Sequence, residues 1–250
     1  MRNRIYRMNR MGSLFCLSAF PICPMCPIGS HFRIPDFDWG RMDLSGLYVI
    51  TDEGLCPGRT HAQIASAAIE GGARIIQIRD KNASDRRFYE DALELRRITR
   101  EAGALFLVND RVDIAAAVGA DGINLGQTDL PVAAARRILG KGVLIGTSAD
   151  TPEQAAQAVT DGADYIGYGP VFPTATKLDA GPVSGLDTLR RVCESTDVPV
   201  VAIGGISTSN IASVAEAGAA CAAVISAVVC ADDMTLATRE LIREFAEGKG

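Results

Sequence analysis

Histidine is almost missing from this chain of 250 residues: there are two, His31 and His61. Each stands alone, and no serine has a partner histidine. Nucleophilic catalysis of the triad kind needs a base within hydrogen-bond reach, so it has little to build on. No lysine lies inside an apolar strand-like run, the setting in which a Schiff-base amine is activated. Basic runs are absent beyond the first ten residues and the net charge is −5. A nucleic-acid surface shows a concentrated positive footprint, so that class is excluded, and basic groups in a cleft would serve a small anion. Cysteines number seven, yet Cys16, Cys23 and Cys26 crowd the first 30 residues and the others are scattered singly. That is not a disulfide framework. "CPMC" has the spacing of half a zinc site, but no second pair accompanies it, and a closed site needs four ligands.

Acidic residues are missing before Asp36. The opening carries Arg2, Arg4, Arg7 and Arg10 and then the uncharged "MGSLFCLSAFPICPMCPIGS". Its apolar part is short and is broken by Pro21, Pro24 and Pro27, which rules out a membrane helix and fits a cleaved signal poorly. Residues 1–41 are therefore expected to be an unstructured extension or a mis-assigned start, with a targeting segment as the alternative. Residues 42–250 are expected to be the functional part, a cytoplasmic protein that engages no membrane. The oligomeric state stays open, a homo-oligomer included.

What is present is alternation. Eight short apolar runs ("GLYVIT", "ARIIQIR", "ALFLVND", "DGINLG", "VLIGTS", "DYIGYGP", "VPVVAIGG", "CAAVISA") are separated by longer alanine-rich amphipathic segments. Several of these segments open on Asp, Ser or Thr and close on Gly, as helix caps prefer. Strands alternating with helices imply parallel pairing, because each helix supplies the crossover a parallel ladder needs. An open doubly wound sheet alternates in the same way, but no G-x-G-x-x-G follows the first run. Eight full units fit a single closed (β/α)8 barrel, a TIM barrel.

Active sites of such barrels lie at the C-terminal strand ends. There the second run ends in "QIRDK". Alternation puts Gln77, Arg79 and Lys81 on one face, a receptor for a phosphate or diphosphate, although a solvated strand end would read the same when taken alone. Asn109 and Asp110 ("VNDR") and Asp129 ("GQTDL") put two carboxylates on adjacent strand ends, suited to Mg²⁺. Singly, Asp110 could instead pair with Arg111, and Asp129 could cap the helix near Pro131. Beside the basic cluster, the pair favours metal. After the sixth run, "GPVFPTATKLDAGP" has the length and composition of a lid, with Thr174, Thr176 and Lys177 available to phosphate. Gly204 and Gly205 leave backbone N–H groups open after the seventh run, and Ser226 follows the eighth, where such barrels hold phosphate.

These motifs resemble, in order, those of the thiamine-phosphate synthase family, over about Gly46 to Val229: "QIRDK", "VNDRVDIAAAVGADGINLGQTDL", "LIGTSADT", "ADYIGYGPVFPTATKLDAGPVSGL", "VPVVAIGGI" and "AAVISAV". The resemblance implies a barrel that joins a hydroxymethylpyrimidine diphosphate to a thiazole phosphate, small-molecule substrates both, giving thiamine phosphate and diphosphate. It implies that the segment Gln77, Ile78, Arg79, Asp80 and Lys81, with Asn109, Ser148 and Lys177, binds the pyrimidine diphosphate. Arg79, Lys81, Ser148 and Lys177 would be catalytic. Asp110 and Asp129 would hold Mg²⁺, and Thr174, Ala175, Thr176, Gly205, Ile225 and Ser226 the thiazole phosphate. Asn124 departs from the pattern, standing where many relatives have histidine, and leaves the local polarity undetermined. Two rivals remain. A related thiazole tautomerase should carry a histidine in the sixth-strand loop, which has none, and a silent phosphate-binding barrel would not need both carboxylates.

Overall fold

Each apolar run becomes a strand because β-branched and aromatic residues alternate there, and each alanine-rich segment becomes a helix. A computed structural model describes residues 44–176 and 181–250. The eight strands are β1 Gly46–Thr51, β2 Ile75–Ile78, β3 Leu105–Asn109, β4 Gly122–Leu125, β5 Leu144–Ala149, β6 Tyr165–Tyr168, β7 Val200–Ile203 and β8 Cys221–Val224. All neighbours are parallel, and β8 pairs with β1, so the sheet closes into a barrel. The expected fold is the observed one.

Around it run α1 His61–Glu70, α2 Asp85–Ala102, α3 Val112–Val118, α4 Val132–Leu139, α5 Pro152–Thr160, α6 Gly185–Glu194, α7 Ile211–Glu216, α8 Ser226–Val229 and α9 Met234–Glu247. Sequence chemistry sets several ends. Thr60 and Gln63 form a capping box on α1. Ser84, Thr151 and Asp233 accept backbone N–H bonds at the starts of α2, α5 and α9, and Gly103 ends α2 in the left-handed conformation that a Cβ would penalise. The one shift of element type is at "VISA": Ser226, read as a strand end, opens the short helix α8.

Two apolar layers result from the period of two. Outward residues such as Val49, Ile76, Phe106, Val108, Ile123 and Ile166 pack under the helices. Inward residues Tyr48, Ile75, Leu107, Tyr165, Val201 and Cys221 fill the barrel. Gly146 exists for this plug, since a Cβ there would lie 2.0 Å from the Tyr165 ring. At the opposite end from the rim, one device is used twice. Asp121 accepts Phe106 N–H and pairs with Arg96 at 2.7 Å; Asp164 accepts Ile145 N–H and pairs with Arg136. Each bond ties a helix to the entry of a strand. Among the described residues, no helix is long and apolar enough to cross a membrane.

Candidate active site

Two positions beyond the apolar plug, the inward face turns polar. Gln77, 3% exposed, accepts the Tyr48 hydroxyl at 2.5 Å and donates to Asn109 Oδ1 at 3.3 Å. A buried amide costs free energy unless its donors and acceptor are paired, and here the plug's own tyrosine supplies one partner. Across the barrel, Asn124 donates to Ser148 Oγ at 3.1 Å. Burial raises the Tyr48 and Tyr165 phenols above their ordinary range, so both stay neutral and serve as hydrogen-bonding scaffold.

Above this layer stand the charges. Arg79 donates to Asp52 Oδ2 at 2.5 Å, and Lys81 Nζ lies 3.8 Å from Asp110 Oδ2. Asp110 is the one non-glycine residue with positive φ among the described residues, at 61°. Its N–H is held by Asn124 O at 2.9 Å. A side chain in that region costs free energy, and residues held there against the cost cluster at functional sites. The Asp110 carboxyl is pushed up to about 6, first by burial, then by its hydrogen bond and repulsion with Asp129, against the pull of Lys81 and Arg79. Asp129 caps no helix: α4 begins without a side-chain cap, and Asp129 Oδ2 instead accepts Gly126 N–H at 2.6 Å. Asp110 likewise does not pair with Arg111, which bonds Asp85 and Asp113.

The opposite wall is made of backbone. Gly204 and Gly205 have φ of +99° and +65°, and a Cβ on Gly205 would sit 2.4 Å from Pro173 O. Glycine there lets the β6 and β7 loops close on one another. Thr174 Oγ1 accepts Thr176 N–H at 3.2 Å, and Ile225 and Ser226 form the start of α8.

Both walls enclose one cavity of about 310 Å³. Of the residues expected at the site, Gln77, Arg79, Lys81, Asn109, Asp110, Asp129, Ser148, Thr174, Thr176, Gly205, Ile225 and Ser226 line it. Three side chains do not. Ile78, at the last residue of β2, has the outward phase and packs under the helices. Asp80 turns back to accept Asn82 and Ala83 N–H at 2.7 and 2.9 Å. Ala175 is exposed between its two threonines. Lys177 and residues 1–41 lie outside the described residues.

The sequence gives no site role to Asn124, Gln127 or Asp52. Asn124 and Gln127 line the cavity, and Gln127 donates to Ser148 O at 2.5 Å; Asp52 orients Arg79. Asn124 had a usable signal, because it repeats at the end of β4 the inward phase of Asn109 on β3, its partner in register.

The family model described as thiamine monophosphate synthase matches residues 47–228. A thiamine-phosphate synthase of Chloroflexus aurantiacus is 55% identical over 195 residues, covering 78% of this chain and 90% of that protein. One from Archaeoglobus fulgidus is 48% identical, covering 82% and 97%. The structure of a thiamine phosphate pyrophosphorylase from Pyrococcus furiosus superposes with a TM-score of 0.77 at 47% identity, covering 83% of this chain and 98% of that one. Since the match takes in every strand and all the cavity-lining loops, the chain belongs to the thiamine monophosphate synthase family.

Proposed function

We propose that the protein joins 4-amino-2-methyl-5-hydroxymethylpyrimidine diphosphate to 4-methyl-5-(2-phosphoethyl)thiazole, forming thiamine phosphate and releasing diphosphate. The observation that carries this reading is the meeting, in one cavity, of a cationic pair (Arg79, Lys81), a carboxylate pair (Asp110, Asp129) and a glycine-built wall. The three parts suit a diphosphate, a divalent cation and a second phosphate.

The cation fits on this chain's own evidence. Burial and mutual repulsion raise the Asp110 carboxyl beside Asp129, and carboxylates so placed call for a proton or a hard cation between them. Asp110 and Asp129 would hold Mg²⁺, which when bound would neutralise the diphosphate. Arg79 and Lys81 would bind the diphosphate oxygens and stabilise the charge that develops as its C–O bond breaks, leaving a pyrimidinylmethyl cation. Gln77 and Asn109 form the polar floor on which the aminopyrimidine would rest. Gly205, Ile225 and Ser226 would fix the thiazole phosphate so that the ring nitrogen faces the cationic carbon, positioning being the larger part of the work. Lys177 would add a further positive charge from the sixth-strand loop.

The test is direct: incubation with both substrates and Mg²⁺, with thiamine phosphate followed by chromatography. No product under conditions where the protein is folded would overturn the reading. We also propose that residues 42–250 suffice. A chain beginning at Met42 should be soluble and as active as the full chain, and loss of either property would assign residues 1–41 to the working protein.

A further inference from the structure

Beside the β2 end that carries Arg79 and Lys81, the β1–α1 and β2–α2 connections bring one imidazole and two carboxylates together. His61 opens α1, Glu53 belongs to the loop after β1, and Asp80 follows β2. One ligand atom from each lies within 4.8 Å of the others. His61 is 1% exposed, and its Nε2 makes no hydrogen bond; the nearest carboxylate oxygen, Asp80 Oδ2, is 3.7 Å away.

The far side of the ring explains what Nε2 offers. Nδ1 lies 2.7 Å from Thr51 Oγ1, and the same hydroxyl lies 3.3 Å from Gln77 O, a carbonyl that can only accept. With the hydroxyl proton given to Gln77 O, Thr51 Oγ1 accepts from Nδ1–H and Nε2 carries a bare lone pair; this is the tautomer the proposed site uses. A neutral imidazole whose second nitrogen is fixed by a hydroxyl in this way is the form that ligates metals. The carboxylates are prepared likewise. Asp80 spends Oδ1 on two backbone N–H groups, and Glu53 spends Oε1 on His61 N–H at 2.8 Å. Asp80 Oδ2 and Glu53 Oε2 remain for another partner.

Charge points the same way. Glu53 and the buried Asp91 share Arg87 as their neighbouring cation, and Asp80 Oδ2 faces His61, so carboxylates outnumber the cation paired with them. We infer that Glu53, His61 and Asp80 form a binding site for a divalent cation of the zinc class, separate from the Asp110 and Asp129 pair. One nitrogen and two oxygens select such an ion over Mg²⁺, which takes oxygen ligands alone and holds its water. Ligand atoms on a tetrahedral zinc ion are about 3.3 Å apart, given bonds of about 2.0 to 2.1 Å, so small side-chain rotations close the site, with water as the fourth ligand. The ion would lock the β1 and β2 loops together. Asp52, next to Glu53, bonds Arg79, so the same lock holds the cationic wall of the cavity in place.

The experiment uses the full chain carrying Asp110→Asn and Asp129→Asn, stripped of metal and titrated with Zn²⁺ by calorimetry and with Co²⁺ by absorption. The expected result is a saturable site that raises the melting temperature, with affinity reduced at least about tenfold by Glu53→Gln and by His61→Gln. Should His61→Gln fail to fold, Glu53→Gln decides alone. Either of two outcomes overturns the inference: no Zn²⁺ bound, or Zn²⁺ bound with affinity unchanged in Glu53→Gln, a thiolate-to-Co²⁺ charge-transfer band then placing the metal on cysteines. An ¹⁵N spectrum of His61 with both ring nitrogens protonated in the presence of Zn²⁺ overturns it as well, because a proton then fills the place of the ion.

Discussion

The same strands build two regions that differ by a single step of two residues. Inward positions Ile75, Leu107, Gly122 and Gly146 belong to the plug of the barrel; two residues on, Gln77, Asn109, Asn124 and Ser148 line the cavity. Successive inward side chains are about 6.6 Å apart, so one layer separates a region that stabilises from a region that binds. Tyr48 marks the boundary, with its ring among apolar side chains and its hydroxyl on Gln77. The plug tolerates no polar group without a partner, whereas the rim gathers the charges of Arg79, Lys81, Asp110 and Asp129 around an open cavity. Stability and chemistry should therefore respond to separate substitutions.

The largest effect expected is on the rim. Lys81→Met should lower kcat/KM by about a hundredfold or more, the scale of one lost charge-stabilising contact. Lys81 is exposed and its ion pair with Asp110 is long, so the melting temperature should stay within a degree or two. A rim substitution that unfolded the protein would erase the distinction between the regions.

In the plug the effect should reverse. Gly146→Ala puts a methyl into the Tyr165 ring and should cost about 1–3 kcal/mol in denaturant unfolding, with kcat per folded molecule retained. An unchanged unfolding midpoint would show that the ring has room to move.

Asp110→Asn tests the boundary between the two kinds of cost. Turnover at saturating Mg²⁺ should fall at least about tenfold, or roughly 1.4 kcal/mol. Stability should move the other way. The folded carboxyl sits at about 6, above its unfolded value, so the native state holds the proton more tightly. That contribution is complete at acid pH and is lost as pH rises through about 6. Metal-free wild type should therefore lose stability between about pH 4 and 6 relative to Asp110→Asn, and Mg²⁺ should restore it. Melting curves across that window check the sign.

The smallest change is Asn124→Ala, which removes one hydrogen bond to Ser148 Oγ. A fewfold loss in kcat, about 0.5–1.5 kcal/mol, is expected. A Ser148→Ala variant should show nearly the same loss, and the double variant little more, if the two side chains act together.

By itself the sequence determined the barrel, because periods of two and 3.6 alternate eight times and capping residues punctuate them. It also determined the polar rim, since chain order alone puts "QIRDK", "VND" and "GQTD" after strands. Tertiary structure decided which of these side chains turn inward. Ile78 and Asp80 lie inside a motif that reads as a unit, yet pleat and turn send one under the helices and the other back onto its own loop. It also decided which distant groups meet. Asp52 reaches Arg79, and Asp80 of the β2–α2 loop meets Glu53 and His61 from the two ends of the β1–α1 connection, although His61 stands alone in the chain. Contacts of that kind depend on the register between strands β1 and β2, where Thr51 faces Ile78. No local pattern carries that register, because it follows from closing all eight strands around one core.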